Sequence, residues 1–439
     1  MRLPQWLPDG ISRRLSTPLG RSAASLYAIH VAGYILPVIY FPYLLRVFGV
    51  AAFGLYAFVV AVARYGLLVT DWGFAYTATR DLAQEIDAGE PLDTTTSAVF
   101  GGRALLLAGC AAGLAVLTLA VPPFSDRPGL YWVAFVGVAG SAFLPVWLFQ
   151  ACERLPVVAG IQLASRVVST VLIFVLVSSG ADVATAIWLW SLPWAVSAIV
   201  AIAVAYRLLG VRLVPTPVGE WWAAVRSGAA VFVSLAAASL YTVSNVILLG
   251  LITDTVQVGY FAAAEALVIA AVGLLGPVSQ VLFPRSAQAA EQGRGAVVRH
   301  ARRLAPIFVG LGALLSLVLF LGGPVLGPLF FGPGFGESVR LLQIMSPIPL
   351  AIAFATVLGP QLLLALRLDG RYASVIVSTA LFNVVLTLAL VPLFQATGTS
   401  LSALIAETLI PVGLLITCAR SGLDPVRGRV RRAGVWQPA

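Results

Sequence analysis

The chain has 439 residues, of which 60% are hydrophobic and only 10% are charged, and its formal net charge is +9. Soluble domains carry roughly a quarter of charged residues, so this composition excludes a water-soluble fold. All 27 basic residues are arginines, and the absence of lysine excludes a P-loop ATPase and Schiff-base chemistry within this chain.

Apolar segments recur from one end of the chain to the other. Residues 1–23 contain prolines and arginines without a compact apolar core and cleavage site, which predicts a cytoplasmic tail and not a signal peptide. The segments that follow are long enough, at about 1.5 Å per residue, to cross a hydrocarbon layer of roughly 30 Å. We therefore predict an all-α integral membrane protein with about twelve transmembrane helices. The predicted helices are Ala24–Leu45, Phe53–Gly73, Ser97–Val121, Leu130–Phe149, Val157–Ser178, Val183–Tyr206, Ala223–Leu251, Gln257–Phe283, Leu304–Phe331, Ser338–Leu366, Tyr372–Phe394 and Thr399–Cys418.

The arginines give these helices a direction, because cationic connections near helix ends stay on the cytoplasmic side. Most arginines fall on the side of the N-terminus, with Arg80 and Arg103 assigned to the first cytoplasmic connection and residues 419–439 to a cytoplasmic C-terminal tail. The arginines predicted on the opposite side are Arg46, Arg127 and Arg340. This bias predicts that both termini are cytoplasmic, and it explains the positive charge by contact with anionic lipids, without nucleic acid.

A faint internal repeat relates the two halves of the chain. Sliding the sequence against itself by 205 positions places Gly54 on Gly259 and superposes the first two predicted helices on the seventh and eighth. This predicts an N-terminal six-helix lobe (24–206), a cytoplasmic linker (207–222) and a C-terminal six-helix lobe (223–418). Because six is even, both halves enter the membrane from the same side, and we expect substrate to bind between them.

Few ionisable residues lie inside the predicted helices, and each needs a partner or a hydrated cavity. Arg64 and Asp71 are seven residues apart on one face of the second helix, which leaves two interpretations open. They belong to an intrahelical or interhelical structural pair, or Arg64 faces a central cavity and binds an anionic phosphate with its guanidinium. Arg46 extends that cationic surface or anchors the helix at the interface, and Arg166 lines the cavity or extends to the headgroups.

Two acids in the C-terminal half are candidates for ion coupling. Glu265 and Glu407 lie in the predicted eighth and twelfth helices. Three roles are open for each of them: exchange of a proton, binding of a sodium ion, or a hydrogen bond between two helices. The three cysteines are isolated, and the two histidines lack any metal-ligand spacing. We therefore predict no metal and no cofactor.

Two stretches resemble a known transporter family. The first is YLLRVFGVAAFGLYAF at Tyr43–Phe58, continued by the DWGF motif at Asp71–Phe74, and the second is SLYTVSNVILLGLI at Ser239–Ile252, followed by VGYFAAAEAL. They resemble the polysaccharide flippases of the O-antigen type (Wzx-like), a branch of the superfamily that also contains MATE and oligosaccharidyl-lipid transporters. The resemblance extends over most of the chain.

This resemblance implies a MATE-like, V-shaped transporter that flips undecaprenyl-diphosphate-linked oligosaccharide to the outer leaflet of a bacterial inner membrane. It implies membrane lipids as partners and a proton or sodium gradient as the energy source. The polymerase and glycosyltransferases of the same pathway are further expected partners. Two alternatives remain open. A multidrug antiporter of the superfamily is favoured by an ion-binding acid in the first helix, which here has none. A polysaccharide polymerase or ligase needs a sizeable outer loop, and the predicted outer connections are short.

Overall fold

The computed structural model describes residues 18–425 and 429–430, with side chains described from residue 36 onward except at 234, 235, 237–243, 326 and beyond 425. Most of the predicted N-terminal tail and the end of the C-terminal tail therefore lie outside the described residues. Within them the chain is almost entirely helical, which confirms the predicted fold class of an all-α membrane protein.

The helices of the described residues follow one another with short connections. They are α1 (Pro18–Asp71), α2 (Phe74–Ala88), α3 (Asp93–Ala120), α4 (Pro122–Ser125), α5 (Pro128–Phe143), α6 (Val146–Ala151), α7 (Leu155–Leu176), α8 (Val183–Val204), α9 (Val218–Ile252), α10 (Thr255–Gly273), α11 (Leu275–Glu291), α12 (Arg294–Phe330), α13 (Gly336–Met345), α14 (Ile348–Leu358) and α15 (Asp369–Arg420). Two π-helical turns, Ala205–Leu209 and Gly359–Leu364, extend α8 and α14. The short strands β1 (Leu423–Asp424) and β2 (Arg429–Val430) pair antiparallel, with Leu423 opposite Val430.

The twelve predicted segments all fall on these helical stretches. Nine stretches of the described residues are helical, long and apolar enough to cross a membrane. The first and the last of them each hold two predicted segments, and the seventh predicted segment, Ala223–Leu251, is not among the nine because it includes residues whose side chains are not described. The chain stays helical on both sides of a kink at Gly49 in α1 (φ 68°) and at Gln395 in α15 (φ 50°), so α1 and α15 each unite two predicted helices. The number twelve itself stays a prediction.

The contacts divide the chain into two compact units, and each is described by itself. Unit 1 contains the described residues up to Phe48 together with Phe58–Ala236, and unit 2 contains Gly49–Ala57 together with the described residues from Ala237 onward. These units do not coincide with the lobes predicted from the repeat, because a short piece of α1 packs with the second half of the chain. The lobe limits at the linker 207–222 stay a prediction.

Each unit has its own apolar core. In unit 1 the core packs α2, α6 and α7 around large side chains such as Phe74 and Trp147, each only 1% exposed. In unit 2 the core packs α12, α14 and α15 around Phe308, Leu362 and Leu414, which are fully buried. Many large apolar side chains on these helices remain exposed, as expected for helices whose solvent is a bilayer.

The two glycines aligned by the internal repeat contact each other inside unit 2. A Cβ atom on Gly54 of α1 would lie 1.8 Å from the carbonyl oxygen of Thr255, and a Cβ atom on Gly259 of α10 would lie 2.1 Å from the carbonyl oxygen of Val50. Val50 and Thr255 are themselves related by the same offset of 205 positions. The helices therefore cross backbone against backbone in a reciprocal contact that only glycine admits.

Candidate functional site

An ion pair between a buried arginine and a partly exposed aspartate joins the end of α1 to the first half of α3. The Nη2 atom of Arg103 lies 2.9 Å from Oδ1 of Asp71, and the Arg103 side chain is 4% exposed whereas the Asp71 side chain is 41% exposed. The prediction that Arg103 belongs to a cytoplasmic connection is wrong. Helix α3 begins at Asp93, so Arg103 is carried roughly 15 Å along the helix and into the core of unit 1.

Backbone carbonyls surround the Nη1 end of this guanidinium, whereas its buried Nε has no hydrogen-bond partner among the described residues. Its Nη1 donates to the carbonyl oxygens of Ser141, Ala142 and Leu144, at 3.3, 3.2 and 3.4 Å. These carbonyls are available because α5 ends at Phe143, and Pro145 has no N–H to donate to the preceding turn. The negative end of the α5 dipole therefore meets the positive charge of Arg103, which offsets part of its desolvation.

A tight turn between α1 and α2 holds Asp71 in place. Trp72 and Gly73 both have positive φ (48° and 81°), which ends α1 and redirects the chain into α2. The indole of Trp72 donates to the carbonyl oxygen of Val225 at 2.8 Å and stacks on the Phe232 ring at 3.9 Å. Because the turn is anchored to α9 in this way, the carboxylate of Asp71 is fixed beside Arg103.

The predicted pair between Arg64 and Asp71 does not form. The two residues are about two helical turns apart, and the Asp71 carboxylate is engaged by Arg103. Arg64 is exposed on α1, and its guanidinium makes no hydrogen bond or ion pair with another described residue. An intrahelical pair of Arg64 with Asp71 is therefore wrong, whereas Asp71 does form an interhelical pair, with Arg103. The cavity assignment of Arg64 stays a prediction.

The other two predicted cations occupy different environments in unit 1. Arg46 is exposed on α1, shortly before the kink at Gly49. Arg166 of α7 is half-buried, and its guanidinium carbon lies 5.3 Å from the centroid of the Trp194 ring. This cation–π contact stabilises the guanidinium within an apolar helix, and the sequence did not predict it. A role of either arginine in substrate binding stays a prediction.

The two predicted coupling acids lie in unit 2. Glu407 of α15 is only 8% exposed and lies close enough to the phenol of Tyr372 to interact with it electrostatically. Glu265 of α10 is half-buried. Buried carboxylates of this kind suit proton exchange, but their role in coupling stays a prediction.

A buried polar network in unit 2 connects α9 with both halves of α15. The amide Nδ2 of Asn383 donates to Oδ1 of Asn245 at 2.9 Å, and the hydroxyls of Thr387 and Ser402 lie 2.7 Å apart. The Oδ1 atom of Asn383 has no hydrogen-bond partner within the described part of the chain. The spacing of Asn383 and Thr387, four residues apart on one helical face, was a signal of this network that the sequence analysis missed.

We expect Asn245→Leu to destabilise unit 2 by about 1–3 kcal/mol, because both polar atoms of the buried Asn383 amide would then lack partners. Thermal unfolding of the purified protein in detergent measures this loss. The matched control is Ser378→Ala, since that hydroxyl is exposed and bonds only to the carbonyl of Val375 in its own helix. Equal melting temperatures for Asn245→Leu and wild type would contradict a stabilising network.

The sequence pattern of the family described as "Polysaccharide biosynthesis protein" matches residues 19–290, which is more than half of the chain. The chain belongs to the polysaccharide biosynthesis protein family. The match includes α1, α2 and α3, and therefore the turn and the ion pair described above.

Two curated relatives of this polysaccharide biosynthesis protein span nearly its whole length. A candidate O-antigen transporter of Escherichia coli (strain K12) is 29% identical over 392 residues, covering 89% of this chain and 94% of the relative. A candidate O-antigen transporter of Shigella dysenteriae is 27% identical over 392 residues, covering 89% of this chain and 97% of the relative. Both confirm the resemblance to the O-antigen branch.

Solved structures with the same fold are transporters. The lipid II flippase MurJ in an inward closed conformation aligns with a TM-score of 0.67 at 12% identity, over 91% of this chain and 87% of its own. An inward-facing multidrug resistance transporter of the MATE family aligns with a TM-score of 0.66 at 13% identity, over 91% of this chain and 98% of its own. At such identities the likeness shows the fold alone, and it confirms a MATE-type transporter fold for this family member.

Proposed function

We propose that this polysaccharide biosynthesis protein is a non-enzymatic flippase. It moves undecaprenyl-diphosphate-linked oligosaccharide from the cytoplasmic to the outer leaflet of a bacterial inner membrane, for surface polysaccharide assembly. The family match, the names of the two relatives and the transporter fold support the proposal. Both termini are cytoplasmic in this proposal, and polymerase and glycosyltransferases of the pathway are its functional partners.

The observation that carries the proposal is the exposed guanidinium of Arg64 in the apolar second half of α1. A charged side chain at the centre of a membrane helix is costly unless water or an anion meets it. No described acid pairs with Arg64, so its charge is available to a ligand. A diphosphate is the matching ligand, because guanidinium binds phosphate oxygens bidentately and thereby lowers the cost of moving that group through the bilayer.

The competing function is a multidrug antiporter of the same fold, for which the MATE neighbour is the precedent. Such a transporter needs an acid to bind a cationic substrate or a coupling ion early in the chain. The first acid after the predicted N-terminal tail is Asp71, and Arg103 neutralises it. We therefore favour an anionic substrate, with ion coupling assigned to Glu265 and Glu407.

The test is Arg64→Ala, for which we expect surface polysaccharide to be lost while the protein remains in the membrane at its normal amount. Gel electrophoresis of surface polysaccharide and extraction of lipid-linked intermediates measure the block. The matched control is Arg340→Ala, which removes an exposed arginine paired with Glu337. Normal polymer output from Arg64→Ala would refute the Arg64 assignment.

Deletion of the gene tests the proposed flippase function independently of the role assigned to Arg64. If the deletion leaves surface polysaccharide unchanged and instead sensitises cells to cationic drugs, the flippase proposal fails and the antiporter is correct. Loss of polymer in the deletion strain, with normal drug resistance, supports flipping.

A further inference from the structure

An acidic pocket lies in unit 1 where α2, the start of α3 and the start of α9 meet. Its volume is about 350 Å³, at the small end of the range of ligand pockets. Two carboxylates line it, Asp81 of α2 and Glu220 of α9, and its described lining includes no arginine. The other lining residues are apolar or carry hydroxyls, as Thr77, Thr95 and Ser227 do. We call this feature the acidic pocket.

The connection between α2 and α3 adds negative charge beside the acidic pocket. Thr95 lines the pocket and donates a hydrogen bond to Oε1 of Glu85, so a third carboxylate lies at its edge. Residues 81–93 contain no arginine, although the whole chain has 27, and they contain five acids: Asp81, Glu85, Asp87, Glu90 and Asp93. This concentration of one sign of charge attracts a cationic ligand.

The carboxylate of Glu220 is not fully satisfied by the described chain. Its Oε2 atom is inaccessible to solvent and has no hydrogen-bond partner among the described residues, although the side chain as a whole is only partly buried. A carboxylate with one desolvated oxygen is costly unless a cation lies near it. The cation does not need to touch Oε2, because the attraction acts equally from the pocket side of the carboxylate. The hydroxyl of Thr77, a lining residue that is 5% exposed, also lacks a described partner.

Asp81 provides a second and more accessible carboxylate. Its Oδ1 atom lies 2.9 Å from Nη2 of Arg80, and both side chains are exposed. An exposed pair of this kind contributes little, and it leaves the other carboxylate oxygen for a second cation. Two carboxylates carried by different helices are complementary to a ligand with two neighbouring positive charges.

The N-terminal tail of this chain has the matching charges. Residues 1–17 lie outside the described residues and contain Arg2, Arg13 and Arg14 against a single acid, Asp9. Arg13 and Arg14 are neighbours and precede the start of α1 at Pro18 by a few residues. A chain of this length reaches up to about 56 Å when it is extended, at about 3.3 Å per residue.

The tail and the acidic pocket lie on the same side of the membrane in the predicted topology. Two predicted helices separate the tail from α2, and four more separate the start of α3 from the start of α9. Both numbers are even, so the tail and the three elements that form the pocket meet on one side. This argument does not depend on which side is cytoplasmic.

We propose that Arg13 and Arg14 of the N-terminal tail dock in the acidic pocket and bind Glu220 and Asp81. Each ion pair is weak by itself, but the tail is tethered to α1, and tethering gives an effective concentration in the mM range. The docked tail joins α2 to the start of α9. The proposal rests on the predicted topology and not on the proposed flippase function, so each can fail without the other.

The absence of lysine allows this contact to be measured directly. Arg14→Lys gives the chain a single side-chain amine, in the tail, and Arg13→Lys does so one residue earlier. A carbodiimide joins an amine to a carboxylate that it contacts, and peptide mass spectrometry identifies the linked acid. For the full-length protein in nanodiscs of dioleoyl phosphatidylcholine we expect a link to Glu220 or Asp81 in both variants. The yield should fall severalfold in about 1 M salt, where the Debye length is only about 3 Å.

Two arginines of unit 1 supply matched controls for the cross-link. Arg80→Lys is the positive control and should link to Asp81, because the native pair is in contact. Arg154→Lys places the amine at an exposed site that does not line the acidic pocket, and it should link to neither pocket acid.

Removal of the pocket charges tests whether they hold the tail. In the Arg14→Lys background, Glu220→Gln/Asp81→Asn should free the introduced amine, so that an acylating reagent labels it severalfold faster. Glu90→Gln removes an exposed acid that does not line the pocket, and it should leave the labelling rate unchanged.

Three outcomes would overturn the docking. If neither tail variant links to a pocket acid while Arg80→Lys links to Asp81, the tail does not occupy the acidic pocket. If the links disappear when the nanodiscs contain dioleoyl phosphatidylglycerol, the tail binds anionic lipid instead. If the links occur only in cross-linked dimers, the occupant is the tail of a second copy. None of these results affects the flippase proposal, which the deletion strain tests.

Discussion

Replacing Gly54 by alanine is expected to destabilise unit 2 by about 3 kcal/mol and to abolish transport, because overpacking in a close-packed contact costs roughly 1–3 kcal/mol and here cannot relax locally. The new Cβ would lie 1.8 Å from the carbonyl oxygen of Thr255 and 2.6 Å from the backbone nitrogen of Gly259. Backbone atoms cannot rotate away as a side chain can, so α1 and α10 would have to separate. Thermal unfolding in detergent and surface polysaccharide output measure the two effects.

Because the contact between the two helices is reciprocal, the same prediction applies to Gly259. Gly259→Ala should cost about as much as Gly54→Ala, since its Cβ meets the backbone of Val50 in the same crossing. The double variant should lose less than the sum, because one helix separation relieves both clashes. The control Gly113→Ala places a methyl group in open space on α3 and should be neutral or stabilising by up to about 1 kcal/mol. Similar melting temperatures for Gly54→Ala and Gly113→Ala would refute the close crossing.

The second large effect is expected for Asp71→Ala, with a loss of about 3–5 kcal/mol in the free energy of unfolding. Removing the carboxylate leaves the Arg103 guanidinium, with a side chain only 4% exposed, in the core of unit 1 without a counter-ion. The three carbonyls around Nη1 remain, but they carry only partial charges. The melting temperature of the purified protein measures this loss.

Removal of Asp71 and removal of Arg103 should lower the free energy of unfolding by different amounts. Arg103→Leu leaves Asp71, whose side chain is 41% exposed and able to be solvated, so this variant should lose less than Asp71→Ala. In the double variant Asp71→Ala/Arg103→Leu no buried charge remains, and part of the stability should return. The exposed pair of Arg340 and Glu337 is the control, since breaking it should cost at most about 1 kcal/mol. Equal losses from Asp71→Ala and Arg103→Leu would contradict the asymmetry of burial.

Residue patterns were sufficient to predict those structural features whose physical cause lies within one segment of the chain. Apolar segments of membrane-spanning length predict helices because an unpaired backbone cannot exist in hydrocarbon, and the described structure is helical at each predicted segment. The non-helical residues Gly49 and Gln395 lie in two of the predicted connections, so the positions of these kinks also followed from the lengths of the apolar segments. Their direction depends on packing and not on propensity.

The candidate site depended on contacts between distant parts of the chain. Arg64 and Asp71 share a helical face, and that periodicity correctly placed both in α1, yet Asp71 pairs with Arg103, which lies 32 residues further along the chain. A pocket in unit 1 likewise requires α3, the α5–α6 junction and the segment after α8 to meet. No spacing within one helix indicates which of these neighbours will be in contact.

The sequence by itself determined that this chain is a helical membrane protein, since 60% hydrophobic and 10% charged residues cannot cover a soluble surface. It also determined the family resemblance and the repeat that pairs Gly54 with Gly259. Only the tertiary structure decided that these two glycines contact each other, that Arg103 is the partner of Asp71, and that Arg64 is left without one among the described residues. The physical reason is that hydropathy is a property of each residue by itself. The partner of a buried charge and the position of a close backbone crossing depend instead on which helices are neighbours.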